Sequence, residues 1–412
     1  MLRKRITVII VHAVTLFTLL VSPHSLLRGD ELRQIAQPYG HSLWRWEVSN
    51  LWNKGIWRLW HFRGAGLSAE ERIQVVRDYF SLGQEVDAVQ REMERVSIVS
   101  PEDEEHLESL RRRVVALGEE RAKREDLAEE IIEEQVSQVL ADEGLSVSFG
   151  FAKGTRFIFP PLSFEFEDTP RILVISPRDT IQLSRTFLLR PNLSLSEIES
   201  IEREVEKQGV SALVEQLSGM ATYPCSIVEG ASLRWTLDTV AHEWLHQYFF
   251  FRPLGRRYWS DDEMRVINET AAKMGGEEIG SLILKRYYGG EDIGRMEVGN
   301  PTVTSTFDFR TEMREIRTSV DEYLSRGEIE EVEAFMRERQ SFLANKGYVI
   351  RKLNQAYFAF HGTYADSPAS ISPIGGELAE LRKQSASLGE FIKIVAQISS
   401  YDDLKRLLAS DK

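Results

Sequence analysis

Val240-Ala241-His242-Glu243-Trp244-Leu245-His246-Gln247 carries the pattern H-E-x-x-H. On a helix His242 and His246 stand four residues apart on one face, so both imidazoles can reach a single metal ion while Glu243 sits one step round beside it. Zn2+ takes nitrogen, oxygen or sulfur ligands at the corners of a tetrahedron, and a catalytic site draws three from the protein and leaves the fourth position to water. Two histidines are one ligand short. Downstream, Val266-Ile267-Asn268-Glu269-Thr270-Ala271-Ala272 offers Glu269 in an apolar, helix-compatible setting. A helix carrying the histidines, a turn through Pro253-Leu254-Gly255 and a second helix carrying Glu269 would fold back to bring the carboxylate to the imidazoles. Leu237, Val240, Ala241, Trp244, Leu245, Tyr248 and Phe249 form a broad apolar face around the motif, which places the histidines on or beside a buried helix. Buried histidines need partners, and either a metal or hydrogen bonds within the core supplies them.

The pairing of H-E-x-x-H with N-E-x-x-A some twenty-odd residues later resembles the gluzincin metallopeptidases, the group that includes thermolysin and aminopeptidase N. The likeness covers about thirty of the 412 residues. It implies a zincin-like domain of a small sheet plus motif helices, Zn2+ held by His242, His246 and Glu269, and a peptide or protein substrate. A glutamate one position after a ligand reaches the bound water rather than the metal, so Glu243 serves as general base and later protonates the leaving amine. The resemblance also implies a downstream Tyr or His that hydrogen-bonds the oxyanion, for which His361, Tyr364 and Tyr357 are the polar candidates. It further implies an edge strand that pairs with substrate, and Ala221 to Glu229 occupies that chain position. Two features depart from the pattern. Thermolysin-like enzymes place an Asp four residues after the ligand Glu to orient a histidine, whereas Lys273 stands there. Aminopeptidases carry G-x-M-E-N upstream; nothing here matches it, and Glu229 is a poor substitute.

Composition frames the rest: 412 residues, 42% hydrophobic, 28% charged, net charge −13. That describes a globular chain with more than one domain and argues against nucleic acid as a partner, since no basic tract or zinc ribbon is present to meet phosphates. The only cysteine, Cys225, has no partner for an intramolecular disulfide and reads as a buried strand position without a catalytic role.

Arg3-Lys4-Arg5 precedes an apolar run from Ile6 to Val21. It reads as a membrane-targeting segment over 1–25, and the lack of an A-x-A-like cleavage site before Arg28 favours an uncleaved anchor over a cleaved signal. Positive-inside logic then gives a single-pass protein with its catalytic domain outside the cytoplasm, or a secreted one where the segment is cleaved. Residues 26–66 form a segment rich in tryptophan, with Trp44, Trp46, Trp52, Trp57 and Trp60 among Arg45, Lys54 and Arg58. It suits either the headgroup layer or a helix packed on the globular body.

Apolar residues recur at three and four through Val76, Tyr79, Leu82, Val86, Val89, Met93 and Val96, and again through Leu107, Leu110, Val114 and Leu117. The spacing predicts an antiparallel helical hairpin over 67–143, broken at Val99-Ser100-Pro101 with Ser100 as the N-cap of the second helix. Its role is either a stalk or arm on the catalytic body or no separate function. Residues 144–299 then read as the catalytic domain: strands near Ser146–Phe151, Phe157–Phe166 and Arg171–Ile175, a helix from Ser196 to Gln216, a strand at Ala221–Glu229, then the motif helices. Residues 300–412 read as a helical C-terminal part, with segments near Thr311–Leu324, Gly327–Leu343, Tyr348–Phe360 and Gly375–Ser385. The fold class expected is therefore α+β, a zincin-like metallopeptidase domain preceded by a long helical hairpin and an N-terminal membrane anchor. The function expected is zinc-dependent peptide hydrolysis outside the membrane. The alternative is a membrane-anchored helical scaffold whose zincin-like domain is inactive.

Overall fold

A computed structural model of the chain describes residues 31–41, 66–147, 157–294 and 307–409. The first element, α1 (Glu31–Ala36), runs into a 3-10 turn, after which Gly40 bridges to Leu189. Two long helices follow, α2 (Ala69–Val99) and α3 (Glu104–Asp142). Ser68 opens α2 in a capping box: its hydroxyl accepts from the Glu71 N–H, and the Glu71 carboxylate accepts from the Ser68 N–H at 2.7 Å. The second helix starts later than its sequence suggests. Asp103 is its N-cap, accepting from the His106 N–H, while Ser100 closes the first helix.

The hairpin divides into two halves. Near its tip Val89, Val96, Leu107 and Leu110 form a small seam of their own, with Met93, Val114 and Leu117 against it. Near its base Val76, Tyr79, Phe80, Ile131, Ile132 and Val139 belong to the main core, in one cluster with Leu237, Trp244 and Ile283. The expected hairpin is thus a structural wall of the globular body for half its length and an arm for the rest.

Two short strands, β1 (Ser146–Val147) and β2 (Phe157–Ile158), pair antiparallel. They lead to β3 (Phe164–Glu167), β4 (Arg171–Pro177) and β5 (Arg185–Leu189), then helix α4 (Leu195–Glu206) and strand β6 (Val210–Gln216). The single helix expected over 196–216 is therefore a helix and a strand. Gly209, at φ +76°, makes the turn between them, and the apolar run Ala212-Leu213-Val214 is long enough to fill a buried strand. Strands β5, β4 and β6 form an antiparallel sheet with β4 in the middle. One face of it packs on α4 through Ile198, Ile201 and Val205; the other, at Val174 and Leu213, meets Ala356.

Strands β7 (Gly219–Met220) and β8 (Cys225–Val228) complete a second sheet, ordered β3-β8-β7, in which β3 and β8 are parallel and β7 is antiparallel. The stretch expected to supply an edge strand thus supplies a central one, and β7 is the edge. On the far side the outward N–H groups of β3 are met by α3: the Glu133 carboxylate accepts from Phe164 at 2.9 Å and that of Glu129 from Phe166 at 2.8 Å. A sheet edge is thereby covered rather than left as a template for another chain.

Helix α5 (Leu233–Phe250) carries H-E-x-x-H, capped by Ser232. A short helix, α6 (Pro253–Arg256), fills the expected turn, and α7 (Asp262–Tyr288) carries Glu269 between an Asp261 N-cap and Gly289 in the left-handed conformation. Beyond them lie α8 (Phe309–Ser325), α9 (Ile329–Asn345), α10 (Gln355–His361), α11 (Ile374–Gln384), α12 (Leu388–Val395) and α13 (Tyr401–Ala409). The helix expected from Tyr348 begins only at Gln355, capped by Asn354, and the last two were not marked in the sequence.

The described chain is mixed helix and sheet, and the expectation of a membrane-anchored fold is corrected. The proposed anchor over 1–25 and the tryptophans at 44–60 lie outside the described residues. Among the described residues no helix is long and apolar enough to cross a membrane, so none of them supports single-pass anchoring. The apolar run Ile6 to Val21, at sixteen residues, also falls short of the roughly 20 that a 30 Å hydrocarbon core requires.

Candidate metal centre

Helices α5 and α7 pack side by side, and glycines set how closely. A Cβ built on Gly276 would lie 2.7 Å from the Asp238 carbonyl oxygen and 3.1 Å from the His242 Cβ; one on Gly280 would lie 1.9 Å from Asp238 Oδ1. No side chain fits between the two backbones there, so the glycines let α7 approach α5 until Glu269 faces the histidines.

His242, His246 and Glu269 converge with their ligand atoms all within 4.8 Å of one another. The two Nε2 atoms face each other at 2.9 Å, and Glu269 Oε2 lies 3.3 Å from His246 Nε2 and 3.7 Å from His242 Nε2. His246 Nδ1 is 2.8 Å from Asn268 Oδ1, an acceptor, so Nδ1 carries a proton and Nε2 is turned toward the carboxylate. The Ala272 backbone lies beside His242. Helix α7 therefore carries the third candidate ligand and, one residue before it, the group that orients His246. That answers the departure noted at Lys273: His246 is oriented by Asn268, in the manner of the carbonyls and carboxylates that fix metal-ligating imidazoles.

Charge in the triad follows from burial and proximity. Burial pulls His246 down, but the adjacent Glu269 outweighs it and lifts the imidazole to about 9. Burial pushes Glu269 up, and the two histidines with the Tyr258 hydroxyl reverse this to about 2. His242 falls to about 3, by burial first and by the charge on His246 second. Near neutral pH His246 is thus an imidazolium beside a negatively charged Glu269, with its second proton on Nε2. A divalent cation fits this donor set, two imidazole nitrogens and one carboxylate oxygen, by displacing that proton.

Glu243 stands beside the triad, buried, and is raised to about 7 chiefly by burial. Gly219 of the edge strand β7 lies directly over it: a Cβ there would come within 2.6 Å of Glu243 Oε1. Tyr258 donates to Glu269 Oε1 at 2.5 Å, leaving Oε2 toward the histidines. Tyr364 lies beside Glu269, and its ring centroid is 6.2 Å from that of His242. Burial holds both phenols well above their usual range, so both remain protonated donors.

The other residues singled out in the sequence lie elsewhere. His361 stacks on Tyr357 at 4.3 Å, with its Nε2 3.9 Å from Glu215 of β6, and is outside the ligand group. Tyr357 shares that surrounding. Glu229 pairs with Arg121 of the hairpin at 2.6 Å. Cys225 is buried and free, its sulfur accepting from Gln247 at 3.2 Å. Tyr258 and Gly219 had no signal in the sequence, because their roles depend on a loop and a strand edge whose positions only the fold sets. Asn268 was visible as part of N-E-x-x-A, but its task as an orienting group was not.

No family model, curated protein or solved structure matches the chain. The gluzincin likeness is therefore confined to the motif residues, and what the structure adds is a His-His-Glu group able to hold a metal ion.

Proposed function

We propose that the protein is a zinc-dependent peptidase with His242, His246 and Glu269 as metal ligands and Glu243 as general base. The observation that carries this reading is the convergence of three ligands beside a buried carboxylate that does not belong to the ligand group. Zn2+ suits two imidazoles and a carboxylate, and when bound it would supply Lewis acidity and an acidified water. Glu243, raised to about 7, is matched to taking a proton from water near neutral pH and returning it to the leaving nitrogen. Tyr364 is the neutral donor available for an oxyanion, since the single O–H of Tyr258 is already given to Glu269. The short edge strand β7 offers backbone groups beside Glu243, the arrangement by which an extended peptide adds to a sheet.

The test is a comparison of wild type with Glu243→Gln on a broad peptide library read by mass spectrometry, alongside metal analysis of both. Removing the base while keeping shape should lower hydrolysis by about 10²–10⁴-fold with zinc content near one per chain in both proteins. Identical cleavage patterns in the two would assign the activity to a contaminant and defeat the proposal.

A further inference from the structure

The loop 362–373 joins α10 to α11 and brings Tyr364 to Glu269. Three ties hold it. The Ala365 N–H donates to Thr270 Oγ1 at 2.9 Å, Arg310 donates to the Asp366 backbone carbonyl, and Lys273 Nζ forms an ion pair with Asp366 Oδ2. Two of these come from α7 at positions one and four residues past the ligand Glu269, so one helix face carries the ligand and grips the loop that covers it. Lys273 Nζ also lies 3.7 Å from Glu277. Asp366 Oδ1 is buried without a hydrogen bond among the described residues, so within that carboxylate the polar contact rests on Oδ2 and Lys273.

We infer that Lys273 and Asp366 form a clasp that positions Tyr364 against the third metal ligand. Lys273, which stands where the thermolysin-like pattern has an Asp, then acts through the tyrosine on Glu269 and not through a histidine. Both side chains of the clasp are about one-third exposed, at 34% and 38%. Ion pairs with that access to water contribute little to folding, so loosening the clasp should leave the protein folded and release chiefly the loop it holds. Lys273 and Asp366 are positioning residues, and their effect on hydrolysis rests on the peptidase reading. Their effect on the metal ligand does not.

The full chain tests this as wild type, Asp366→Asn, Lys273→Gln, Lys273→Arg, Tyr364→Phe and the double variant Asp366→Asn/Tyr364→Phe. Zinc affinity is measured by competition with a chromophoric chelator, and the ligand field by the visible spectrum after Co2+ substitution. Groups that orient a metal ligand change affinity by roughly 10–100-fold when removed. Asp366→Asn, Lys273→Gln and Tyr364→Phe should each weaken zinc binding about tenfold with a shifted Co2+ spectrum, and Lys273→Arg should stay near wild type. The double variant should be no weaker than Tyr364→Phe alone, because both changes act on one contact. An Asp366→Asn protein with wild-type affinity and spectrum overturns the clasp, as does a double variant whose losses add in full. A wild type that shows the coupling yet cleaves no peptide removes the peptidase reading and leaves the clasp standing, whereas one that binds neither ion overturns both.

Discussion

Two helix pairs in this molecule meet by different means. In the outer half of the hairpin, α2 and α3 touch through Val89, Val96, Leu107 and Leu110, an apolar seam with solvent on either side. In the centre, α5 and α7 meet where Gly276 and Gly280 leave no room for a side chain, and polar residues join the apolar ones at their contact: His242, His246, Asn268 and Glu269. The first pair is fixed by area removed from water, which tolerates small changes of distance. The second must hold ligand atoms within a few tenths of an ångström, so it uses backbone proximity and hydrogen bonds that fix orientation. Substitutions that act on only one of these devices separate them, with zinc affinity as the common readout.

The largest effect should come from deleting a ligand. Glu269→Ala leaves two imidazoles, and zinc affinity should fall well beyond the roughly 10–100-fold typical of an orienting group. The stabilisation that zinc gives the wild type in a thermal melt should go with it. A variant that still takes up one zinc at micromolar concentration would mean that α7 does not supply the third ligand.

Next in size is the dependence on pH. His246 is raised to about 9 before any metal binds, so zinc must displace its proton below that pH. Affinity should rise about tenfold per unit from pH 7 to 9 and then level. The metal-free protein should show the opposite trend in stability. A histidine whose folded pKa is raised contributes stability that is fully present below about 6.5 and is lost as pH rises through 9. Thermal melts of chelator-treated protein should therefore soften between pH 6.5 and 9, and Glu269→Ala should flatten that slope. Melts whose midpoints do not move over this range would remove the ion pair from the account of the triad.

What was legible in the sequence follows the same division. The hairpin seam announces itself at three and four because one side of each helix faces water. Helices α5 and α7 are apolar on most sides, so their periodicity is weak and only H-E-x-x-H and N-E-x-x-A marked them. Spacing brought out His242 and His246 with Glu243 beside them, since four residues on a helix is a distance, and Glu269 came from its apolar setting and the N-E-x-x-A likeness. It could not bring out Tyr258, Gly219 or the clasp between Lys273 and Asp366, which join segments whose separation in sequence carries no geometric information. The strand over 210–216 hid behind the helix before it, because Ala212-Leu213-Val214 suits either state until Gly209 turns the chain. Which of β7 and β8 lies at the edge depends on β3, more than fifty residues earlier. The apolar run near the N-terminus was given the weight of a span although it is several residues short of one.

A smaller effect is expected at the glycines. Gly276→Ala places a methyl group against the Asp238 carbonyl and the His242 Cβ, both of which belong to α5. Overpacking of this kind lowers stability by about 1–3 kcal/mol. Because the only relief is for α7 to move outward and take Glu269 with it, zinc affinity should also drop, by roughly tenfold or about 1.4 kcal/mol. Wild-type affinity in a destabilised Gly276→Ala protein would show that close packing serves stability alone and that Asn268 and Tyr258 suffice to place the carboxylate.

The smallest effect on the metal should come from the hairpin, and it is the control that gives the others meaning. Leu110→Ala removes a buried side chain from the outer seam, where Val89, Val96 and Leu107 surround it and no residue of the main core takes part. Truncation of a buried leucine lowers stability by about 2–5 kcal/mol, toward the lower end where neighbours can collapse into the gap. The tip of a two-helix arm can collapse in this way, so a loss of about 2 kcal/mol is expected in chemical denaturation. Zinc affinity should stay within a factor of two of wild type, because the base of the hairpin, with Tyr79, Ile131 and Ile132, still walls the core that holds α5. Denaturation should also split into two steps if the arm opens before the core. A fall in zinc affinity as large as that of Gly276→Ala would show that the arm and the metal centre form one cooperative unit, and that the two helix pairs differ in chemistry but not in mechanical independence.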